Sequence, residues 1–167
     1  MELFRNAKAV CLRGPGGWYL HASEGGVSVT AKRDGLGLSV WWSVEVVDAN
    51  NIRLRSCYGK YLTGLPDNVF QSPPEDLSPS ANWEPISEGG NNQLVRLRTS
   101  GGYLLIDRGT GSFPSGHNTR VVYLIRNPKR NRATKDGTPW EIVVVERMGL
   151  PSPYYSATSS GFARKKV

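Results

Sequence analysis

Three copies of one unit, each reading as about four short strands, predict an all-β fold with pseudo-threefold symmetry for this 167-residue chain. The first observation behind that prediction is a template: apolar-x-Leu-Arg, a short turn of Gly and small or polar residues, then Gly-x-Tyr-Leu or a close variant. It appears as Val10-Cys11-Leu12-Arg13 leading to Gly17-Trp18-Tyr19-Leu20, and as Ile52-Arg53-Leu54-Arg55 leading to Gly59-Lys60-Tyr61-Leu62. The third copy is Val95-Arg96-Leu97-Arg98 leading to Gly102-Tyr103-Leu104, so that Tyr19, Tyr61 and Tyr103 fall 42 residues apart both times. The second observation is the tryptophan that opens a further strand-like run in each copy: Trp42-Ser43-Val44, Trp83-Glu84-Pro85 and Trp140-Glu141-Ile142. The third is a supply of turn residues, 19 glycines and 11 prolines, with no convincing helical period anywhere. Six strands closing a barrel and three hairpins capping it make a β-trefoil of about twelve short strands, which leaves few exposed edges.

Taken in order, residues 1 to 9 lead in, with Leu3 and Phe4 expected to pack as a plug and Ala7 to Val10 starting the first strand. Val10 and Leu12 alternate with Cys11 and Arg13, as Ile52 and Leu54 do with Arg53 and Arg55, and Val95 and Leu97 with Arg96 and Arg98. A period of two marks a half-buried strand with one apolar and one solvated face. His21 to Thr30, turning at Gly25-Gly26, supplies the first hairpin, and Asp48 to Asn51 is the turn into the second repeat. There the connector Pro66 to Ser80 carries Pro73, Pro74 and Pro79, which argue against regular strand pairing. Glu88 to Asn92 is the turn into the third repeat. The symmetric tyrosines and the three strand-opening tryptophans are expected in the core.

The repeats run over about 8–48, 50–90 and 93–147, within a single domain 1–149. The interval from tyrosine to tryptophan is 23 residues in the first repeat, 22 in the second and 37 in the third, which predicts an insert at about 109–137. Inside it Val121 to Ile125 reads as a strand. Insertions in one repeat of a symmetric fold map to a loop that often carries function. Residues 150–167 read as a flexible basic tail, with few groups to offset their ordering entropy.

The formal charge of +7 is unevenly placed. Arg120, Arg126, Lys129, Arg130, Arg132 and Lys135 face a single acid, Asp136, between residues 120 and 137, and the tail adds Arg164, Lys165 and Lys166. The rest of the chain is about neutral. No basic segment followed by an apolar stretch opens the sequence, and no apolar run is long enough to span a bilayer. A soluble, monomeric, cytoplasmic protein is expected, with the nucleus as a further location. Cys11 and Cys57 occupy different places in the template and read as free thiols.

Met1-Glu2-Leu3-Phe4, Ala7-Lys8-Ala9-Val10-Cys11-Leu12-Arg13, Trp42-Ser43-Val44-Glu45 and the run Ile52 to Thr63 together resemble a known family, the plant domain of unknown function numbered 569 (DUF569). It is grouped with the fascin-like, actin cross-linking β-trefoils. The resemblance covers residues 1 to about 147. It implies a fascin-like fold and, as a function, binding to actin filaments.

Candidate sites follow from charge and from asymmetry. Arg13, Arg53, Arg55, Arg96 and Arg98 should point off the barrel as a threefold-related ring able to meet an acidic surface, or else to form local ion pairs. The basic insert, Arg120, Arg126, Lys129, Arg130, Arg132 and Lys135, is the second partner-binding candidate. Trp18 and Trp41 lack equivalents in the other copies and are candidates for a ring that stacks on a ligand, or for local packing. The glutamine-x-tryptophan signature of ricin-type lectins is missing. The only histidines, His21 and His117, lie in no metal-ligand spacing, and no nucleophile elbow or phosphate-cradling glycine motif is present. The expectation is therefore a binding module and not an enzyme, with no metal and no cofactor. Its partner would be actin filaments or another acidic protein surface. The alternatives are a carbohydrate- or small-ligand-binding trefoil, and a nucleic-acid-associated or scaffolding protein using the insert and tail.

Overall fold

The structure, a computed structural model, describes residues 1–107, 119–126 and 139–147. A short helix α1 (Glu2–Arg5) is followed by twelve strands among the described residues. They are β1 (Ala7–Gly14), β2 (Trp18–Ala22), β3 (Val29–Lys32), β4 (Trp42–Val46), β5 (Ile52–Arg55), β6 (Tyr61–Leu65), β7 (Asn68–Ser72), β8 (Glu84–Glu88), β9 (Asn91–Thr99), β10 (Gly102–Ile106), β11 (Thr119–Ile125) and β12 (Trp140–Arg147). The expected plug is real: Phe4 is buried and Leu3 packs against the core from the helical turn.

One expectation about the strands needs correction. The connector after Pro66 contains a regular strand, because Val69 and Gln71 alternate inward over β7 before Pro73 stops it, and β7 pairs with β6 from Tyr61↔Ser72 to Leu65↔Asn68. Within the span 109–137 the expected strand over Val121 to Ile125 is present. β11 lies inside it and pairs with β10 from Tyr103↔Ile125 to Ile106↔Val122, as β3 pairs with β2 and β7 with β6. The extra residues of the third repeat therefore flank an ordinary strand. Lys129, Arg130, Arg132 and Lys135, and the tail 150–167, lie outside the described residues.

The strand ladders close a ring of seven, β1-β2-β3-β11-β10-β9-β12, to which β4 to β8 are attached. A second circuit, β1-β4-β5-β8-β9-β12, closes where Ile52 and Trp83 exchange two backbone hydrogen bonds of 2.8 Å. Its seams are unequal. Within each repeat they are brief: Val10↔Trp42 with Ala9↔Ser43, Ile52↔Trp83 alone, and Val95↔Trp140 with Leu94↔Glu141. Between repeats they run the length of the strands, from Ser43↔Arg55 to Val46↔Ile52, from Glu84↔Arg98 to Glu88↔Asn91, and from Arg13↔Glu141 to Ala7↔Arg147.

The core repeats with the chain. Trp42, Trp83 and Trp140 are each 0% exposed. Each indole Nε1 donates to the carbonyl of the leucine that follows a template tyrosine: Trp42 to Leu20 at 3.1 Å, Trp83 to Leu62 at 2.9 Å and Trp140 to Leu104 at 3.0 Å. A buried indole N–H without a partner would cost about 1–3 kcal/mol, so these bonds fix how each ring sits. The tyrosines behave differently from expectation. Tyr61 is buried, but Tyr19 and Tyr103 are only half-buried, because the period of two sends the adjacent leucine inward and the phenol to the wall. Packing has adjusted to unequal side chains. A Cβ on Gly64 would stand 2.9 Å from both Leu124 Cδ1 and Trp83 Cη2, so only glycine fits there without movement.

Candidate functional site

The strand arginines do face outward, and they meet neighbours there. Register sets the meetings: Arg13 lies opposite Glu141, Arg98 opposite Glu84 and Arg55 opposite Ser43, at equivalent places in the three repeats. Arg13 Nη1 lies 3.4 Å from Glu141 Oε1, and Arg98 Nη2 makes a close ion pair with Glu84. Arg96 Nε reaches Glu88 Oε2 at 2.5 Å and Arg53 Nε donates to Asn82 Oδ1 at 2.9 Å. The third member of the equivalent set has no carboxylate across from it. Arg55 instead stands 5.6 Å from the Tyr61 ring centroid, and the Tyr61 hydroxyl donates to Glu45 Oε2 at 2.7 Å. Burial, and then this hydrogen bond, push the Tyr61 phenol above its ordinary range. Three of the five ring arginines thus have carboxylate partners that offset their charge locally, and Arg53 is held by a neutral amide. Arg126 is exposed and Arg120 half-buried.

Two clefts form at equivalent positions of this wall. One, about 390 Å³, is lined by Arg13, the turn Gly14 to Gly17, Leu94, Pro139 and Glu141. The other, about 340 Å³, is lined by Arg98, the turn residues Thr99 and Ser100, Asn51, Pro79, Asn82 and Glu84. Most of their lining residues occupy equivalent places. Each has the template arginine, residues of the turn after it, the residue before the first apolar residue of a template copy (Leu94 before Val95, or Asn51 before Ile52), and the residues on either side of a core tryptophan (Pro139 and Glu141, or Asn82 and Glu84). At the third equivalent position Trp41 stands in the place of Pro139 and Asn82, and Ser43 in the place of the glutamates. Sequence reasoning missed Glu84 and Glu141. The signal was the glutamate directly after Trp83 and Trp140, which becomes informative only when register brings it across from an arginine.

The two asymmetric tryptophans differ from one another. Trp18 is 5% exposed and belongs to the core cluster, so it is not an open stacking platform. Its ring lies under two cations, Arg33 with its guanidinium carbon 5.0 Å from the centroid and Arg120 at 4.4 Å. Trp41 is half-buried. On β2, His21 Nδ1 lies 3.4 Å from Thr30 Oγ1, and burial, followed by the charge of Lys32, holds its imidazole below the ordinary range.

Both cysteines are free thiols, Cys11 buried and Cys57 exposed. Burial pushes the Cys11 thiol up to about 11. Among the described residues no group of three or more His, Cys, Asp or Glu could hold a metal ion, and no helix is long and apolar enough to cross a membrane.

Residues 1–140 match the family described as a beta-trefoil domain of unknown function (DUF569). No curated protein sequence matches the chain. Among solved structures the chain is similar to the SDF2-like protein from Arabidopsis thaliana, with a TM-score of 0.62 and 22% identity over 89% of this chain and 97% of that one. It is also similar to a cytolethal distending toxin from Actinobacillus actinomycetemcomitans (TM-score 0.67, 10% identity, 87% of this chain and 95% of that one). A third is the designed threefold-symmetric protein ThreeFoil, with a TM-score of 0.60 and 17% identity over 81% of this chain and 98% of that one. These likenesses support an all-β, trefoil-like fold and assign no residue a role.

Proposed function

The chain belongs to the DUF569 family of β-trefoil domains, and from that premise we propose that it is a non-catalytic recognition module whose repeated clefts hold a saccharide. The observation that carries this reading is the equivalence of the two clefts, each built around a cross-strand arginine–glutamate pair. Such a pair is close to neutral as a unit yet offers guanidinium donors beside carboxylate acceptors, the combination that vicinal hydroxyls need. In the Arg98 cleft the side chains of Asn51, Asn82, Thr99 and Ser100 add further donors and acceptors. The volumes fall in the range of ordinary small-ligand pockets. The fold is compatible with such a ligand: SeviL, described bound to an asialo-GM1 saccharide, is similar to this chain with a TM-score of 0.52 and 10% identity over 71% of this chain and 98% of that one.

A glycan array followed by calorimetry on the best binder tests the proposal. Binding with more than one site per chain is expected, and Arg98→Ala and Glu141→Ala should each weaken one class of site at least tenfold, with little sensitivity to salt. An array without binders, or variants that bind as the intact protein does, would overturn it.

A second reading keeps an acidic protein surface, such as an actin filament, as the partner. What favours it is the basic run from Arg120 to Lys135, since the strand arginines largely have partners of their own. Co-sedimentation with filaments at low and moderate salt, against a variant with Lys129, Arg130, Arg132 and Lys135 changed to Ser, decides it. Pelleting that the variant loses supports the reading; intact protein left in the supernatant at both salts removes it.

A further inference from the structure

We propose that Arg33 and Arg120, held against the ring of Trp18, form a binding site for a compact polyanion carrying phosphoryl or sulfuryl groups. The site is separate from the two clefts and stands independently of the saccharide reading.

Three observations lead there. The first is placement. β2, β3 and β11 are neighbours in the sheet, with Tyr19 opposite Lys32 and Ala31 opposite Arg120, so Trp18 on β2, Arg33 just past β3 and Arg120 on β11 converge on one patch. Both guanidiniums lie within 5.0 Å of one ring centroid, close enough for one small ligand to touch both. The second is orientation. A guanidinium against an aromatic ring leaves its N–H edge free to make two parallel bonds to an oxyanion. Trp18 is a rigid support, being 5% exposed and packed into the core.

The third is charge. Arg13, Arg96 and Arg98 have glutamate partners, whereas among the described residues neither Arg33 nor Arg120 makes an ion pair. The adjacent carboxylate, Asp34, accepts a hydrogen bond from the Leu36 backbone N–H at 2.9 Å and is not among the ion-paired groups. Two like charges sharing one indole repel each other, and an anion reaching both relieves that repulsion while replacing only water. The neutral arginine–glutamate pairs of the clefts have no such deficit.

The test is calorimetry and tryptophan fluorescence with inositol hexakisphosphate and, separately, sucrose octasulfate, which tell phosphate-bearing from sulfate-bearing ligands. Binding that perturbs indole emission and weakens at least tenfold in Arg33→Gln and in Arg120→Gln is expected. Lys8→Gln, on β1 and outside both the patch and the clefts, should bind as the intact protein does. Arg33→Lys keeps the charge and should retain more affinity than Arg33→Gln, with thermal melts showing that all variants fold. No binding of either probe by the intact protein at millimolar concentration overturns the proposal. So does undiminished binding by the Arg33→Gln/Arg120→Gln double variant, or loss of binding only when Lys129, Arg130, Arg132 and Lys135 are replaced.

Discussion

The interior and the outer wall of this barrel treat the same threefold repetition in opposite ways. Inside, the indole-to-carbonyl distances of Trp42, Trp83 and Trp140 agree to within a few tenths of an ångström, at 3.1, 2.9 and 3.0 Å. Outside, the residues facing the equivalent arginines are Glu141, Ser43 and Glu84. Each core tryptophan is surrounded by its own repeat and its neighbours, so a change in one must be answered by others. A wall residue answers to one cross-strand partner and to water. The wall is accordingly where the repeats have diverged, and where a ligand could distinguish them.

The comparison can be broken most severely from inside. Trp42→Ala, Trp83→Ala and Trp140→Ala should each cost about 3–5 kcal/mol in urea unfolding, with similar values for all three. If one of them proved as mild as a wall substitution, the interior would not be equivalent. Gly64→Ala comes next, at about 1–3 kcal/mol, because its methyl must displace Leu124 or the edge of the Trp83 indole.

The two thiols extend the contrast to pH. Cys11 is held up to about 11 in the folded chain against 9.0 for an unperturbed thiol, so the folded form keeps its proton where the unfolded form loses it. The stability this contributes is fully present below pH 9 and lost as pH rises toward 11, a decline on the order of 2 kcal/mol visible in alkaline melts. At neutral pH a thiol reagent should modify one cysteine per native chain, the exposed Cys57, and both after unfolding.

On the wall the effects are small. Replacing Glu84 or Glu141 by Gln should change stability by no more than about 1 kcal/mol, and less at high salt, even though ligand affinity falls. Ser43→Glu is the smallest and the most instructive. Placing a carboxylate opposite Arg55 should stabilise the fold by about 0.2–1 kcal/mol at low salt, measured as a shift in Tm that salt erases. A larger or salt-independent gain would mean that this position is not the counterpart of the other two.

What could be read from the sequence follows the same division. The 42-residue spacing of the template and the tryptophans that open Trp42-Ser43, Trp83-Glu84 and Trp140-Glu141 gave away the interior, because each repeat must supply the same residue to the shared core even where, as before Trp140, the interval is longer. The side to which Tyr19 and Tyr103 turn was misjudged: a recurring aromatic looks like core until the leucine beside it is seen to occupy that side. β7 was hidden by prolines that begin only after it ends. The clefts were invisible for a different reason. Pairing Arg13 with Glu141 joins residues at opposite ends of the chain, and no local pattern announces which register the closing strands adopt. Arg33 escaped notice because it lies outside the template, and its meaning depends on β11 arriving beside β3.

The unequal seams carry one more consequence. Since the barrel is held along full-length ladders between repeats and by brief bridges within them, β12 and β1 are related as β4 is to β5 and β8 to β9: two arms of a hairpin that lacks only its turn. A linker from Arg147 to Met1, which keeps the buried Phe4 plug, would supply that turn, and the chain could then be opened at Gly89–Gly90, between β8 and β9, without disturbing any core tryptophan. Such a circular permutant should fold to the same barrel. The order in which the three repeats are written along the chain is thus a convention of the reading frame, and the ring itself has no first member.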